Sequence, residues 1–205
     1  MFSIRDKSNK KALNYGLPIN PQLPLLDDDF CLHTKDDIIA RALCLNCTIH
    51  AAYKYPKHKS LEWLDKEGLL NSLTQSEKIF LEGGFGSITD IRIQAEGLWI
   101  IVWVLSFIEK IDFMKECTDK LAFLMPNIIK SEDSMDFRNS AKLRTMEEIL
   151  QELDLSYVLH WAIRQTQLEG KKIPKKLKYH VVYERRRALE WLVSDEEWDE
   201  ISLDT

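Results

Sequence analysis

The most hydrophobic stretch of the chain is LWIIVWVLSFI, residues 98–108. A helix of this length spans about 16 Å, well short of the ~30 Å hydrocarbon core of a bilayer. The stretch therefore predicts a helix that is buried on most sides inside a protein, and no membrane span. We expect this central helix to cover residues 89–110.

Further helices are predicted on both sides of the central one. Apolar residues recur every three or four positions after capping residues such as Thr34 and Ser134. Seven Gly and six Pro are too few for an all-β fold with many tight turns. The sequence predicts an all-α fold, a single globular domain of roughly seven to eight helices around the buried central helix. Besides the central one, the predicted helices lie at 34–55, 60–67, 74–82, 118–124, 134–169 and 181–192.

The N-terminal residues 1–33 carry a different pattern from the rest. Pro18, Pro21 and Pro24 lie close together, and each lacks a backbone donor and has a fixed φ. We expect 1–33 to form an irregular N-terminal arm that runs extended across the helical domain, which we place at 34–205.

Charge and composition exclude several classes of protein. A net charge of −5 disfavours general nucleic-acid binding, which needs a basic surface, and suits a basic partner better. The opening MFSIRDKSNKK is followed by no apolar run, so we expect no secretory signal, a cytoplasmic location and four reduced cysteines.

The sharpest metal candidate is the segment that contains Cys44, Cys47 and His50. Two cysteines at this spacing with a nearby histidine are typical of half of a zinc site. Within a helix, however, successive steps of three residues place Cys44 and His50 about 120° apart around the axis. No second CxxC follows, so the sequence favours small buried core residues and predicts neither a metal nor a cofactor.

Two acidic clusters are candidates for partner binding. The first comprises Asp27, Asp28 and Asp29, and the second comprises Asp195, Glu196, Glu197, Asp199 and Glu200. The favoured interpretation is that this second cluster, together with Glu190 and Asp204, forms an acidic tail that pairs within the chain with the basic stretch 171–187. The alternative is that it faces outward and binds a basic protein, because complementary charge speeds association.

A second candidate site consists of His160, Arg164, Glu184 and Arg185, which are polar residues in otherwise apolar helical patterns. Such groups could form a ligand or acid–base site, or a buried ion-pair network between the two long C-terminal helices. The network is the favoured interpretation. Arg185 is expected to pair with Glu184, Glu147 or Glu148, and Trp161 is expected in the core.

A family resemblance is carried by the C-terminal third. EEILQELDLSYVLHWAIRQTQLEG, the later ERRRALEWL and the ending WDEISLDT, together with Arg41-Ala42-Leu43 and Glu62-Trp63-Leu64, resemble a bacterial family, domain of unknown function 4272. The resemblance covers residues 35–205. It implies a helical domain and no particular reaction, and some members look like immunity partners of secreted toxins.

Two functions follow as hypotheses. The first is a protein-binding protein, most specifically an immunity protein that occludes the active site of a contact-dependent, nuclease-type toxin. The alternative is an enzyme or small-ligand-binding protein with a site near His160, Arg164 and Glu184. No catalytic motif is recognisable, since the glycine-rich segment 83–87 lacks the Lys-Ser/Thr ending of a phosphate-binding loop. The sequence therefore favours a non-enzyme.

Overall fold

A computed structural model describes residues 3–26 and 30–204, and every regular element in these ranges is helical. This confirms the predicted all-α class. Two short 3-10 helices occupy Leu70–Ser72 and Ile128–Lys130. The α-helices of the described residues are α1 (Ile4–Asn14), α2 (Lys35–Ala52), α3 (Lys57–Lys66), α4 (Gln75–Leu81), α5 (Ile88–Ile93), α6 (Ala95–Val104), α7 (Leu121–Leu124), α8 (Met135–Ser140), α9 (Met146–Leu168) and α10 (Tyr179–Leu192).

The helices pack against one another in a series, and α6 lies in the middle of this series. Helix α6 lies between α10 and α2, α10 also packs on α9, and α9 packs on α1. On the other side, α2 contacts α3, α4 and α5. Apolar side chains of α6 such as Leu98, Ile100 and Ile101 are buried, which confirms the predicted central helix.

The central helix is shorter than predicted at both ends. Its first part is a separate helix, α5, and α6 stops at Val104. Ser106 adopts a left-handed φ of 64°, the Phe107 amide donates to the Val102 carbonyl and the Ser106 amide to the Trp103 carbonyl. This is a Schellman ending, which terminates a helix even when the residue pattern stays apolar.

The long helix predicted from Ser134 is divided into α8 and α9. Thr145 caps α9 by a capping box with Glu148. The residues between the two helices are extended because they hydrogen-bond to the exposed end of α6: the Lys142 amide donates to the Leu105 carbonyl (3.1 Å) and the Arg144 amide to the Val104 carbonyl (2.9 Å). Carbonyls at a helix end need such donors, and 142–144 supplies them.

The N-terminal arm that was expected to be irregular contains a helix, α1. Ser3 and Asp6 form a capping box at its start, a signal that lies before the proline-rich segment. Arg5 joins α1 to α9 through the Asp154 carboxylate and also donates to the Leu23 and Pro24 carbonyls. The arm is therefore an integral layer of the fold as far as Asn14, and 17–26 has no regular structure.

None of the helices in 3–26 and 30–204 combines the length and apolarity needed to cross a bilayer. Within these residues, no cluster of three or more His, Cys, Asp or Glu side chains is arranged to hold a metal ion.

Candidate functional site

An acidic cleft of about 280 Å³ lies where three parts of the chain meet. The start of α2, the turn before α4 and the segment after α10 form its walls. Four carboxylates line it, Asp37 from α2 and Asp195, Glu196 and Glu197 from the C-terminal segment, and all four residues are exposed. The cleft therefore presents a negatively charged rim to solvent.

An aromatic stack forms one wall of the acidic cleft. The rings of His33 and Trp191 are 4.2 Å apart and nearly parallel. The backbone holds them in register, because the His33 amide donates to the Leu192 carbonyl at 3.1 Å. This contact joins the residues before α2 to the end of α10 and fixes the position of the wall.

The interior side of the cleft is built around Trp198, of which 2% is exposed. The guanidinium carbons of Arg41 and Arg187 lie 5.4 Å and 4.9 Å from its ring centroid. A Cβ at Gly97 of α6 would lie 3.3 Å from the ring, a tight contact, so the absence of a side chain there helps Trp198 to approach α6 closely. Arg41 in turn forms a buried ion pair with Glu77 of α4.

Three residues that line the cleft have a buried polar atom without a hydrogen-bond partner among the described residues. These atoms are His33 Nε2, Arg41 Nε and Trp198 Nε1. The arginine and indole nitrogens can only donate. Unsatisfied donors are rare in protein interiors, so their concentration beside one cleft marks it as a candidate binding site.

The structure divides the C-terminal acidic cluster into three groups. Asp195, Glu196 and Glu197 line the acidic cleft, whereas Asp199 accepts hydrogen bonds from the Ser76 amide (3.0 Å) and hydroxyl (2.7 Å) at the start of α4. Glu200 is exposed. The predicted cluster Asp27, Asp28 and Asp29 lies outside the described residues.

The expected pairing between the acidic tail and the basic stretch 171–187 is found at one place, Glu190, which lies outside the cluster 195–200. Arg186 and Glu190, one turn apart on α10, are joined at 3.0 Å, whereas Lys171 pairs with Glu169. Among the ion pairs of 3–26 and 30–204, none includes a carboxylate of residues 195–200. These carboxylates are thus not neutralised by the basic stretch.

His160 lies in a closed polar network and not in an open site. It is 2% exposed, with Nδ1 at 2.8 Å from Arg186 Nη1 and Nε2 at 3.3 Å from the Tyr179 hydroxyl. Burial, and then the Arg186 charge, lower the pKa of His160 to about 4. The imidazole is therefore neutral near pH 7, and Nδ1 accepts from the guanidinium. Arg164 is exposed and donates to none of the described residues.

Arg185 and Glu184, which were predicted to belong with His160, each have another partner. Arg185 is fully buried and its Nη2 lies 2.6 Å from Glu96 of α6, so the expected pairing with Glu184, Glu147 or Glu148 is wrong. A carboxylate within the apolar pattern of the central helix does indicate a buried partner, but nothing in the sequence pairs Glu96 with Arg185.

Glu184 faces Arg187 at 2.7 Å, but the two atoms are not aligned as a hydrogen bond. Burial raises the pKa of Glu184 to about 7, against the opposing effect of Arg187. Nearby Asp90 and Glu96 raise it further. The polar residues of the C-terminal helices thus form separate contacts, in which Arg185 pairs with α6, Glu184 faces Arg187 on its own helix, and Arg186 joins α10 to His160 of α9.

The cysteines of the CxxC segment are core residues on α2. Cys44 and Cys47 are fully buried, and Cys44 Sγ lies 3.8 Å from the Leu69 carbonyl. Burial raises the pKa of Cys44 to about 12 and that of Cys47 well above its usual value. Both thiols are therefore protonated near neutral pH, and a protonated thiol is not a nucleophile.

Sequence reasoning missed His33, Asp37, Arg41 and Trp198 as parts of one cleft. Of these four, the sequence pattern singles out Arg41 and Trp198, each as part of a family motif. A usable signal exists for Arg41, because a charge among the apolar residues of α2 requires a buried partner. Nothing in the sequence places that partner on α4.

Comparisons with known proteins give one match. No curated protein and no solved structure matches the chain. A family model does match, over residues 5–201, which extends the resemblance of residues 35–205 into α1. The chain therefore belongs to the family described as Domain of unknown function (DUF4272).

Proposed function

We propose that the protein is a protein-binding protein whose acidic cleft holds a basic segment of its partner. The observation that carries this proposal is the rim of exposed carboxylates, Asp37, Asp195, Glu196 and Glu197, that lack ion-pair partners within the described residues. Such a rim attracts Lys and Arg side chains and accelerates encounter with a basic surface.

The interior side of the cleft adds a second kind of contact. Arg41 and Trp198 each have an N–H group without a hydrogen-bond partner. Both donor atoms are closed to solvent, so a partner's carbonyl oxygen accepts from them only after the side chains shift, while the partner's basic side chains pair with the exposed rim. The stacked rings of His33 and Trp191 offer an apolar surface beside them. A basic polypeptide suits this combination better than a simple cation does.

The most specific form of the proposal is an immunity protein that acts in the bacterial cytoplasm. In that role it binds a basic, nuclease-type toxin domain and occludes its active site. The carboxylates at the rim would compete with the toxin's anionic substrate for the same basic surface. The support for this form is the charge complementarity and the resemblance of some family members to immunity proteins.

The test uses two charge-reversed variants of the full chain in its own cells. In the cleft variant, Asp195, Glu196 and Glu197 are each replaced by Lys. In the control variant, three exposed acids outside the cleft, Glu62, Asp65 and Asp136, are replaced by Lys, so the net charge is the same. Each tagged protein is captured, and the partner is identified by mass spectrometry and tested as a toxin in a growth assay.

We expect a basic partner that the wild type and the control variant retain and that the cleft variant loses. Its affinity should fall steeply with added salt, because exposed charges are screened. Equal retention of the partner by all three proteins would overturn the role of the acidic cleft. A retained partner that is harmless to cells would leave protein binding standing and remove the immunity role.

A further inference from the structure

A second cavity, of about 340 Å³, lies on a different part of the molecule from the acidic cleft. It is formed by the C-terminal half of α2, the start of α6 and the segment 117–122 that leads into α7. We call it the α2–α7 cavity. Its volume is in the range of pockets that hold small molecules.

The walls of the α2–α7 cavity are mainly apolar. Ile49, Leu98 and Leu121 line it and are each less than a tenth exposed. Tyr53 lies at the edge of the cavity and is 62% exposed. The guanidinium carbon of Arg92 lies 4.5 Å from the centroid of the Tyr53 ring. An apolar lining with an aromatic edge favours a ligand with a hydrocarbon body.

The polar groups of the cavity are mostly hydrogen-bond acceptors. Asn46 is 2% exposed; its amide nitrogen donates to the Pro126 carbonyl at 3.3 Å, and its oxygen accepts from none of the described residues. His50 Nδ1 lies 2.9 Å from the Asn46 backbone carbonyl. Because a carbonyl only accepts, Nδ1 carries a proton, and Nε2 is an acceptor in the imidazole tautomer that this contact selects.

Asp119 adds a negative charge to these acceptors. It lines the cavity, is exposed, and has no ion-pair partner among the described residues. The hydroxyls of Thr118 and Tyr53 can either donate or accept, so they exclude no ligand. Two neutral acceptors and one carboxylate around an apolar space fit a ligand whose polar end carries several N–H donors and a positive charge.

The remaining polar group, the Cys117 thiol, is no nucleophile. Burial, and then the Glu96 charge, raise the pKa of Cys117 to about 12. The thiol is therefore protonated near neutral pH, where it acts only as a weak donor. The cavity thus has the chemistry of a binding site and no reactive group for covalent catalysis.

We propose that the α2–α7 cavity binds a small primary amine with an apolar body. Its ammonium group donates to Asp119, Asn46 and His50, and its hydrocarbon part packs between Ile49, Leu98 and Leu121. This site is independent of the protein-binding role, because the acidic cleft shares no lining residue with it.

Isothermal titration calorimetry with two matched probes tests the proposal. Phenethylamine carries the ammonium on a hydrocarbon body, and 3-phenylpropionate carries a carboxylate on a body of similar size. We expect saturable binding of phenethylamine and none of 3-phenylpropionate. Asp119→Asn should weaken phenethylamine binding by about tenfold, a loss of about 1.4 kcal/mol. The matched control Asp133→Asn, another exposed acid, should leave it unchanged.

A second variant tests the space of the cavity independently of the Asp119 charge. Ala122 lines the cavity and is exposed, so Ala122→Trp fills the space without disturbing the core. We expect this variant to fold with an unchanged melting temperature and to lose phenethylamine binding. Equal binding of the two probes, binding that survives in both Asp119→Asn and Ala122→Trp, or no binding of phenethylamine at millimolar concentration would each overturn the proposal.

Discussion

Glu184 is a buried carboxyl on α10 that makes stability depend on pH. It is 3% exposed, and its pKa is raised to about 7, chiefly by burial. The carboxyl of the unfolded chain ionises near its ordinary value of 4.5. Between these values the unfolded state loses its proton first, so the contribution of Glu184 to stability is present below pH 4.5 and is lost as the pH rises through 7.

Glu184→Gln should remove this dependence, because the amide is neutral at every pH. We expect the free energy of unfolding of the variant, relative to the wild type, to rise by about 3 kcal/mol between pH 4.5 and pH 7. Urea unfolding at fixed pH values measures it. The comparison is made at each pH because His160, with its pKa lowered to about 4, has the opposite slope. A difference that does not change with pH would contradict the prediction.

Arg185 shows the limit of what the sequence could predict. A charge in an apolar helical pattern correctly indicated that Arg185 is buried and paired. Its actual partner, Glu96, is 89 positions away, and the pairing is set by how α6 and α10 pack. Periodicity gives the buried face of one helix, but it carries no information on which residues of two distant helices meet.

Helix α1 shows how one side chain attaches an element to the rest of the fold. Arg5 Nη2 lies 2.8 Å from the carboxylate of Asp154, which is 2% exposed. No other donor of the described residues bonds to that carboxylate. The same guanidinium donates to the Leu23 and Pro24 carbonyls at 2.7 Å, so Arg5 holds α1, α9 and the chain between α1 and α2 together.

Arg5→Met should therefore lower the free energy of unfolding by more than the loss of a surface charge would. It leaves Asp154 buried without a partner, and we expect a loss of about 3 kcal/mol in the free energy of unfolding. Amide hydrogen exchange should accelerate in α1 and not in α2. Lys7→Met, an exposed position of the same helix, is the control and should change stability by less than about 0.5 kcal/mol.

Adding Asp154→Leu to Arg5→Met gives an internal check. The double variant removes the unpaired carboxylate, so it should recover much of the lost stability. If the double variant is no more stable than Arg5→Met, the loss of stability comes from the missing contacts to the Leu23 and Pro24 carbonyls and not from the unpaired Asp154 carboxylate.

The sequence predicted which helices exist better than it predicted where they begin and end. The apolar spacing correctly indicated α2 and α4, Thr34 caps α2 as expected, and Gly170 follows the end of α9 closely. The splits between α5 and α6 and between α8 and α9 were missed because both depend on tertiary contacts. The segment 142–144 is extended since it completes the hydrogen bonds of α6, a partner that lies far away in sequence.

The C-terminal segment that follows α10 contacts and joins helices that are distant in sequence. Trp198 packs against Trp191 of α10 and Gly97 of α6, and its ring lies beside Arg41 of α2. Its neighbour Asp199 binds the first turn of α4. One short segment thus closes four helices around the acidic cleft, and the acidic rim is held in place by the same anchor.

Trp198 is therefore the tryptophan on which global stability should depend, in place of Trp161. Trp161 was expected in the core but is only partly buried at its edge. Removing a fully buried indole leaves a cavity, so Trp198→Ala should lower the free energy of unfolding by about 3–5 kcal/mol. Trp161→Ala, the matched control, should lose less than half as much, because solvent already covers part of its side chain. Urea unfolding of both variants measures the difference, and equal losses would mean that the C-terminal segment contributes little to the closure of the fold.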